Sequence, residues 1–264
     1  MIMLFIAFLR VHFNRSVISW QHLWVLVFTL TMPLIFYFLL RPFNYTLALA
    51  SFCIAIAPTA AGAPVMATFL RTKVAFVTAS VIFTTPVVGI VLPLLLPQLI
   101  EVEQSLKVME VLSPTASLVF IPLILSQLIR RLTPKWLPFF DRFNGVPFYL
   151  FIMNILIATG KASHFIRFEA EISWIDLAIL ALGISVVGFC MFKIGEWWLG
   201  RKGLPIENGL ALGRKNTMFA LWIALTFINP VVALGPIFYI FFQNSYNSWQ
   251  LYLLNKKAKL PIEQ

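Results

Sequence analysis

Four polar residues in a row, Arg214-Lys215-Asn216-Thr217, interrupt an otherwise apolar run from 205 to 230. Placing one Lys or Arg near the centre of a bilayer costs about 2.5 to 3.5 kcal/mol on insertion scales, so an intramembrane cation is a functional feature by default. The chemistry on offer is that of two cations at membrane depth beside the hydrogen-bonding amide of Asn216 and hydroxyl of Thr217. A second interruption, Ala57-Pro58-Thr59-Ala60-Ala61-Gly62-Ala63-Pro64, breaks the run from 44 to 70. Pro58 and Pro64 each lack a backbone donor and clash with the preceding turn. Gly62 between them permits close approach of another backbone, and Gly213 adds a helix-breaking position beside the cations.

Hydrocarbon satisfies none of the N–H and C=O groups that such breaks set free, so a broken membrane helix is tolerated only against protein or a watery cavity. Paired breaks in the two halves of a chain are the mark of an inverted-repeat secondary transporter with its substrate near the bilayer midplane. Taken alone, the first break reads as a kinked helix, because Pro and Gly are common in membrane helices. The cations of the second break shift the balance. Polar Glu207-Asn208-Gly209 extends that second interruption, and Glu207, two turns before Arg214, is its expected ionic partner. A helix beginning only at Asn216 and ending at Asn229 would be too short, since spanning takes about 17 to 25 residues.

The elements that must hold these residues follow from composition. Of 264 residues 60% are hydrophobic and 11% charged, and the mean hydropathy is +0.90. A soluble globular domain carries roughly 25% charged residues, so that class is excluded. Apolar stretches suited to a core of about 30 Å run at 18–40, 44–70, 74–100, 113–129, 145–160, 174–195, 205–230 and 234–254. The expectation is an all-α, multi-pass membrane protein of about eight transmembrane helices in contact with the lipid bilayer. Met1 to Leu9 is apolar but too short to cross, and it lacks the basic segment and cleavage site of a signal peptide.

The net charge of +10 encodes orientation and calls for no nucleic acid. Along an eight-helix path Arg41, Lys107, Lys161 and Arg167 fall on one side, Arg214 and Lys215 lie within a helix, and the remaining Lys and Arg residues fall on the other side. The positive-inside rule then makes the C-terminus cytoplasmic, in a bacterial inner membrane or a plasma membrane. Glu196, Trp197 and Trp198 beside Arg201 and Lys202 read as an interfacial anchor. Cys53 and Cys190 lie in apolar helices without C-x-x-C spacing and read as packing residues. His12, His22 and His164 fall near helix ends and no membrane-depth acid pair occurs, so the sequence offers no catalytic constellation and no metal site.

Several patterns, in order, resemble the bile acid:sodium symporter family. Phe5 to Phe13 is similar to the end of that family's second helix, and Phe28-Thr-Leu-Thr-Met-Pro33 resembles its Q-F-x-x-M-P stretch. Ala57-Pro58 through Ala75 resembles its broken fourth helix and Thr78 to Pro97 its proline-rich fifth. Gly213-Arg214-Lys215-Asn216-Thr217 resembles its E-x-G-x-Q-N-S motif, and Phe238 to Trp249 its aromatic tenth helix.

The resemblance implies a ten-helix inverted-repeat transporter fold with two broken crossing helices. Residues 1–17 would be the remnant of a panel helix, 18–100 the core-domain helices of the first repeat, 112–166 the panel helices of the second repeat, 173–254 its core-domain helices, and 255–264 a cytoplasmic tail. It implies sodium ligands at positions that here carry Phe28, Ala63, Pro64, Val77, Val81, Ala211 and Lys215. A hard cation needs oxygen ligands, which these side chains do not supply. Both sodium sites are therefore expected to be lost, no other cofactor is expected, and Lys215, or Arg214 in a shifted register, is expected to replace the metal as a tethered cation. A small organic anion would meet Asn216, Thr217, Thr59, Gly62 and Asn154. A desolvated lysine releases its proton readily, which makes a proton a second candidate partner. The alternative functional expectations are a truncated, non-transporting family member and, ranked lower, an intramembrane enzyme.

Overall fold

The computed structural model describes residues 19–100, 108–142 and 173–259 continuously, together with 5, 6, 8, 9 and scattered positions between 146 and 168. Among the described residues the fold is helical, and its one extended element is an isolated antiparallel bridge between Thr59 and Lys215.

The first helix, α1, spans Trp20–Leu40. Helix α2 (Tyr45–Ile56) starts where the Asn44 side chain accepts the Leu47 N–H at 2.8 Å, a side-chain cap of the kind that satisfies one orphan donor. It ends because Ala57 precedes a proline and is pushed out of the helical region, to φ −54 and ψ 140. Pro58 is thus the residue that stops the helix. Pro64 does the opposite of what its chemistry suggested. It sits in the first turn of α3 (Ala63–Phe69), where a missing N–H costs nothing, and starts that helix rather than breaking one. Helix α4 (Val74–Leu99) carries Pro86, Pro93 and Pro97, α5 (Val108–Leu132) carries Pro114 and Pro122, and a 3-10 turn leads into the short α6 (Leu137–Asp141).

Helix α7 (Trp174–Lys193) runs on as a π turn (Ile194–Trp198) and a 3-10 turn (Leu199–Lys202). Gly203, at φ +90, ends this run in the left-handed region that favours glycine. Helix α8 (Pro205–Gly213) follows, then α9 (Thr217–Phe227) and α10 (Pro230–Lys259). Glu207-Asn208-Gly209 therefore lies inside a helix, and the second break is confined to 214–216. The expected panel region, 112–166, is described continuously from 112 to 142, and the fifth apolar stretch within it, 145–160, is described only at scattered positions.

Among the described residues four helical segments are long and apolar enough to cross a membrane: Trp20–Leu40, Val74–Leu99, Val108–Leu132 and Trp174–Arg201. Much of their apolar surface faces outward. Phe38 and Leu39 of α1 are 59% and 61% exposed, and Leu182 of α7 is 68% exposed. Apolar residues covering the outside of helices of this length need lipid, so the chain is an integral membrane protein. The centre of the fold is α2, where every residue from Leu47 to Ile56 is buried. It packs against α1, α7 and α10. Close approach there depends on small residues, as is usual between membrane helices: a Cβ on Gly235 of α10 would stand 2.7 Å from the Ala50 Cβ.

Candidate functional site: the junction of two broken helices

The two breaks meet and satisfy each other. The Ala60 N–H donates to the Arg214 carbonyl and the Asn216 N–H to the Pro58 carbonyl, both at 2.8 Å. These are the bonds of a two-residue antiparallel ladder, and they consume groups that hydrocarbon would leave unpaired. Thr59 locks the pair from the side: its hydroxyl donates to the Ala211 carbonyl at 2.7 Å, and its N–H donates to the Thr84 hydroxyl at 3.0 Å. From α10 the Tyr239 hydroxyl donates to the Gly213 carbonyl. Gly213 remains helical, and its role is proximity, since a Cβ there would stand 2.4 Å from the Phe192 ring.

At the centre of this junction lies Lys215, fully buried. Its Nζ has no hydrogen-bond partner, and neither have Nε and Nη1 of Arg214. The C-terminal ends of α2 and α8 and the N-terminal ends of α3 and α9 flank the two paired gaps, so helix ends of both polarities belong to this junction. An unpaired buried amine of this kind has its donors uncommitted and can take an anionic acceptor.

Asn216 and Thr217 also lie at the junction. The Asn216 side-chain oxygen accepts the Phe219 N–H at 3.2 Å and caps α9, which leaves its amine half for other contacts. Thr217 is buried, and its N–H donates to the Lys215 carbonyl. Thr59 is present, but its hydroxyl proton is engaged by Ala211. Gly62 is exposed, and a Cβ there would meet nothing within 4 Å, so the close backbone approach expected at this glycine does not occur. Asn154 lies outside the described residues.

Glu207 does not pair with Arg214. Its carboxylate accepts the Lys73 N–H at 3.1 Å instead, joining α8 to the start of α4. The positions that the resemblance aligned with sodium ligands offer little oxygen: Phe28 packs on Trp198, Val77 and Val81 are buried alkyl groups, and Ala211 contributes only the carbonyl that Thr59 already uses.

A second polar cluster went unread in the sequence. Glu196, on the π turn, accepts Lys193 Nζ at 2.7 Å on one oxygen and both the Tyr246 hydroxyl and Gln250 Nε2 at 2.8 Å on the other. The rings of Phe189, Trp197, Tyr246 and Trp249 surround the Lys193 ammonium at 5.3 to 5.7 Å, within cation–π range. Glu196 is thus an internal acceptor more than an interfacial anchor, while Trp197 and Trp198 remain exposed as expected of a membrane-facing belt. The signal was present as the i, i+3 spacing of Lys193 and Glu196 and the aromatic spacing of α10, but only the packing of α10 on α7 joins them.

Comparison with models of known protein families finds no match to this chain, and no curated protein matches it.

Proposed function

We propose that this protein is a secondary transporter of a small organic anion, built as an inverted repeat of about eight spans and similar in plan to the bile acid:sodium symporters. The observation that carries the reading is the Lys215 ammonium, fully buried where two broken helices meet and without a hydrogen-bond partner. A cation held at such a place costs stability and is retained for what it binds. In this reading the two half-helix pairs, α2 with α3 and α8 with α9, correspond to each other across the repeat. Lys215, with Arg214 beside it, supplies the positive charge that a sodium ion supplies in the sodium-coupled carriers. The amine half of the Asn216 amide and the Thr217 hydroxyl complete the substrate contacts. Transport is independent of sodium, with a proton as the alternative coupling partner, and the C-terminus faces the cytoplasm of a bacterial cell or the inner side of a plasma membrane.

Uptake of a panel of labelled organic anions into proteoliposomes tests the reading, with sodium present or absent and a pH gradient imposed or not. Sodium-independent uptake that Lys215→Gln removes supports it. Sodium-stimulated uptake refutes the replacement of the metal, and absence of uptake of every anion by folded protein refutes the carrier itself.

A further inference from the structure

Helix α10 carries amides that its packing leaves unanswered. Asn247 is fully buried, and neither Nδ2 nor Oδ1 has a partner. Gln243 is 4% exposed with Oε1 unpartnered, and Gln250 holds its Nε2 on Glu196 while its Oε1 has no partner. At 3.6 residues per turn these three positions fall within about 60° of one another on the helix, and Tyr239 and Tyr246 widen the polar arc to about 100°. The arc is anchored at both ends by contacts already described. Tyr239 reaches the Gly213 carbonyl directly before Arg214 and Lys215, and Tyr246 and Gln250 reach Glu196. From Tyr239 to Gln250 the rise is about 16 Å, close to half the hydrocarbon thickness of a bilayer.

A buried amide with both ends unpaired is too costly to stand dry, and buried polar groups without protein partners are the usual seats of internal water. The local alternative is sterically open in this fold, since Asn208 donates to the Leu204 carbonyl and Gln98 to the Leu94 carbonyl one turn back. Asn247 does not take it. Among the described residues the other unpartnered buried polar side chains outside the junction are Gln21 Oε1, the hydroxyls of Thr29, Ser51 and Thr115, and Asn208 Oδ1, scattered over four helices, whereas the amides of α10 form one continuous line. Glu196 and Lys193, at the outer end, are 12% and 16% exposed and so touch the surface.

We infer that Gln243, Asn247 and Gln250 line a hydrated polar path along α10, which connects the Arg214–Lys215 junction with the membrane face at Glu196 and Lys193. The ligand of this path is water, and through it the buried cations face one side of the bilayer only. The inference takes the junction as the site proposed above but needs no substrate.

Thiol labelling in proteoliposomes tests it. With Cys53 and Cys190 replaced by alanine, single variants Gln243→Cys, Asn247→Cys and Gln250→Cys are exposed to a charged, membrane-impermeant methanethiosulfonate reagent from either side. Only a hydrated cysteine forms the reactive thiolate, so positions 243 and 247 are expected to react at least about tenfold faster than the similarly buried apolar controls Leu210→Cys and Met191→Cys, with the partly buried position 250 marking the mouth of the path. Reaction is expected from one side only. Labelling no faster than the controls in protein with a wild-type melting profile overturns the path, as does equal labelling from both sides. If one of the two buried variants, Gln243→Cys or Asn247→Cys, fails to fold, the other carries the comparison. Labelling as expected without anion uptake removes the carrier reading and leaves the path standing; uptake without labelling does the reverse.

Discussion

Replacing Lys215 by methionine should make the protein more stable while abolishing its ability to hold an anion. The lysine is fully buried and its ammonium lacks a partner, so it contributes none of the bonds that knit the junction together. Those bonds run through backbone groups that Lys215→Met leaves in place. Methionine keeps most of the alkyl stem and so most of its packing. What disappears is the cost of a cation at membrane depth, about 2.5 to 3.5 kcal/mol. Allowing for imperfect packing of the thioether, the net gain is about 2 to 3 kcal/mol. At roughly 2 to 4 °C per kcal/mol for chains of this size, the melting temperature should rise by about 5 to 10 °C. The measurement is thermal unfolding of wild type and variant in one detergent at one scan rate, paired with anion uptake. A fall of several degrees would refute the reasoning, because it would mean that the ammonium binds helix-end carbonyls and holds the junction closed. A rise with uptake preserved would leave the stability argument standing and remove Lys215 from the site.

Other substitutions probe the same geometry. Thr59→Val keeps shape but leaves the Ala211 carbonyl unpaired, and should lower stability by about 1 to 3 kcal/mol in thermal or denaturant unfolding. Gly195→Ala would set a Cβ 2.4 Å from the Asn208 carbonyl oxygen and cost about 1 to 3 kcal/mol or more in melting experiments, whereas Gly62→Ala, with open space around it, should stay within about 0.5 kcal/mol. Glu196→Leu strips the shared acceptor from Lys193, Tyr246 and Gln250 and is expected to cost about 3 to 5 kcal/mol, against much less for Lys193→Met, measured by the same unfolding assay. Asn216→Ala removes the cap of α9 and should cost about 1 kcal/mol; a loss of uptake far beyond that of a destabilised control would assign its amine to substrate.

The positions of the breaks were legible because proline and membrane-depth charge leave few conformations open: Ala57-Pro58 ends α2, and Arg214 begins the second gap, where the sequence pointed. The extent of the second gap was not. Glu207 looked like part of it, but its carboxylate is satisfied by a backbone N–H of residue 73, a contact that no local pattern encodes. The pairing of Thr59 with Lys215 has no periodic signature either, since a one-residue bridge leaves no alternation to read. Asn216 announced itself as polar in an apolar run, yet half of its amide serves the helix it precedes. Lys193 counted only among the basic residues of one side of the helix path, because the aromatic rings around it come from α10 as well as from its own segment.

The antiparallel bridge has a consequence for how the chain is made. Thr59 and Ala211 are 152 positions apart. At 5 to 20 residues per second, a ribosome needs about 8 to 30 s to go from one to the other. Throughout that interval the Pro58 carbonyl and the Ala60 N–H have no partners, because those partners, Asn216 and Arg214, have yet to be synthesised. Hydrocarbon does not admit such groups. The first broken hairpin must therefore wait in the wet interior of the insertion machinery or at the headgroup layer until the second arrives, and only the two together can partition into lipid. Translation arrested before residue 211 should leave the nascent chain held at the translocon, available to quality-control proteases, while a few dozen residues more should release it.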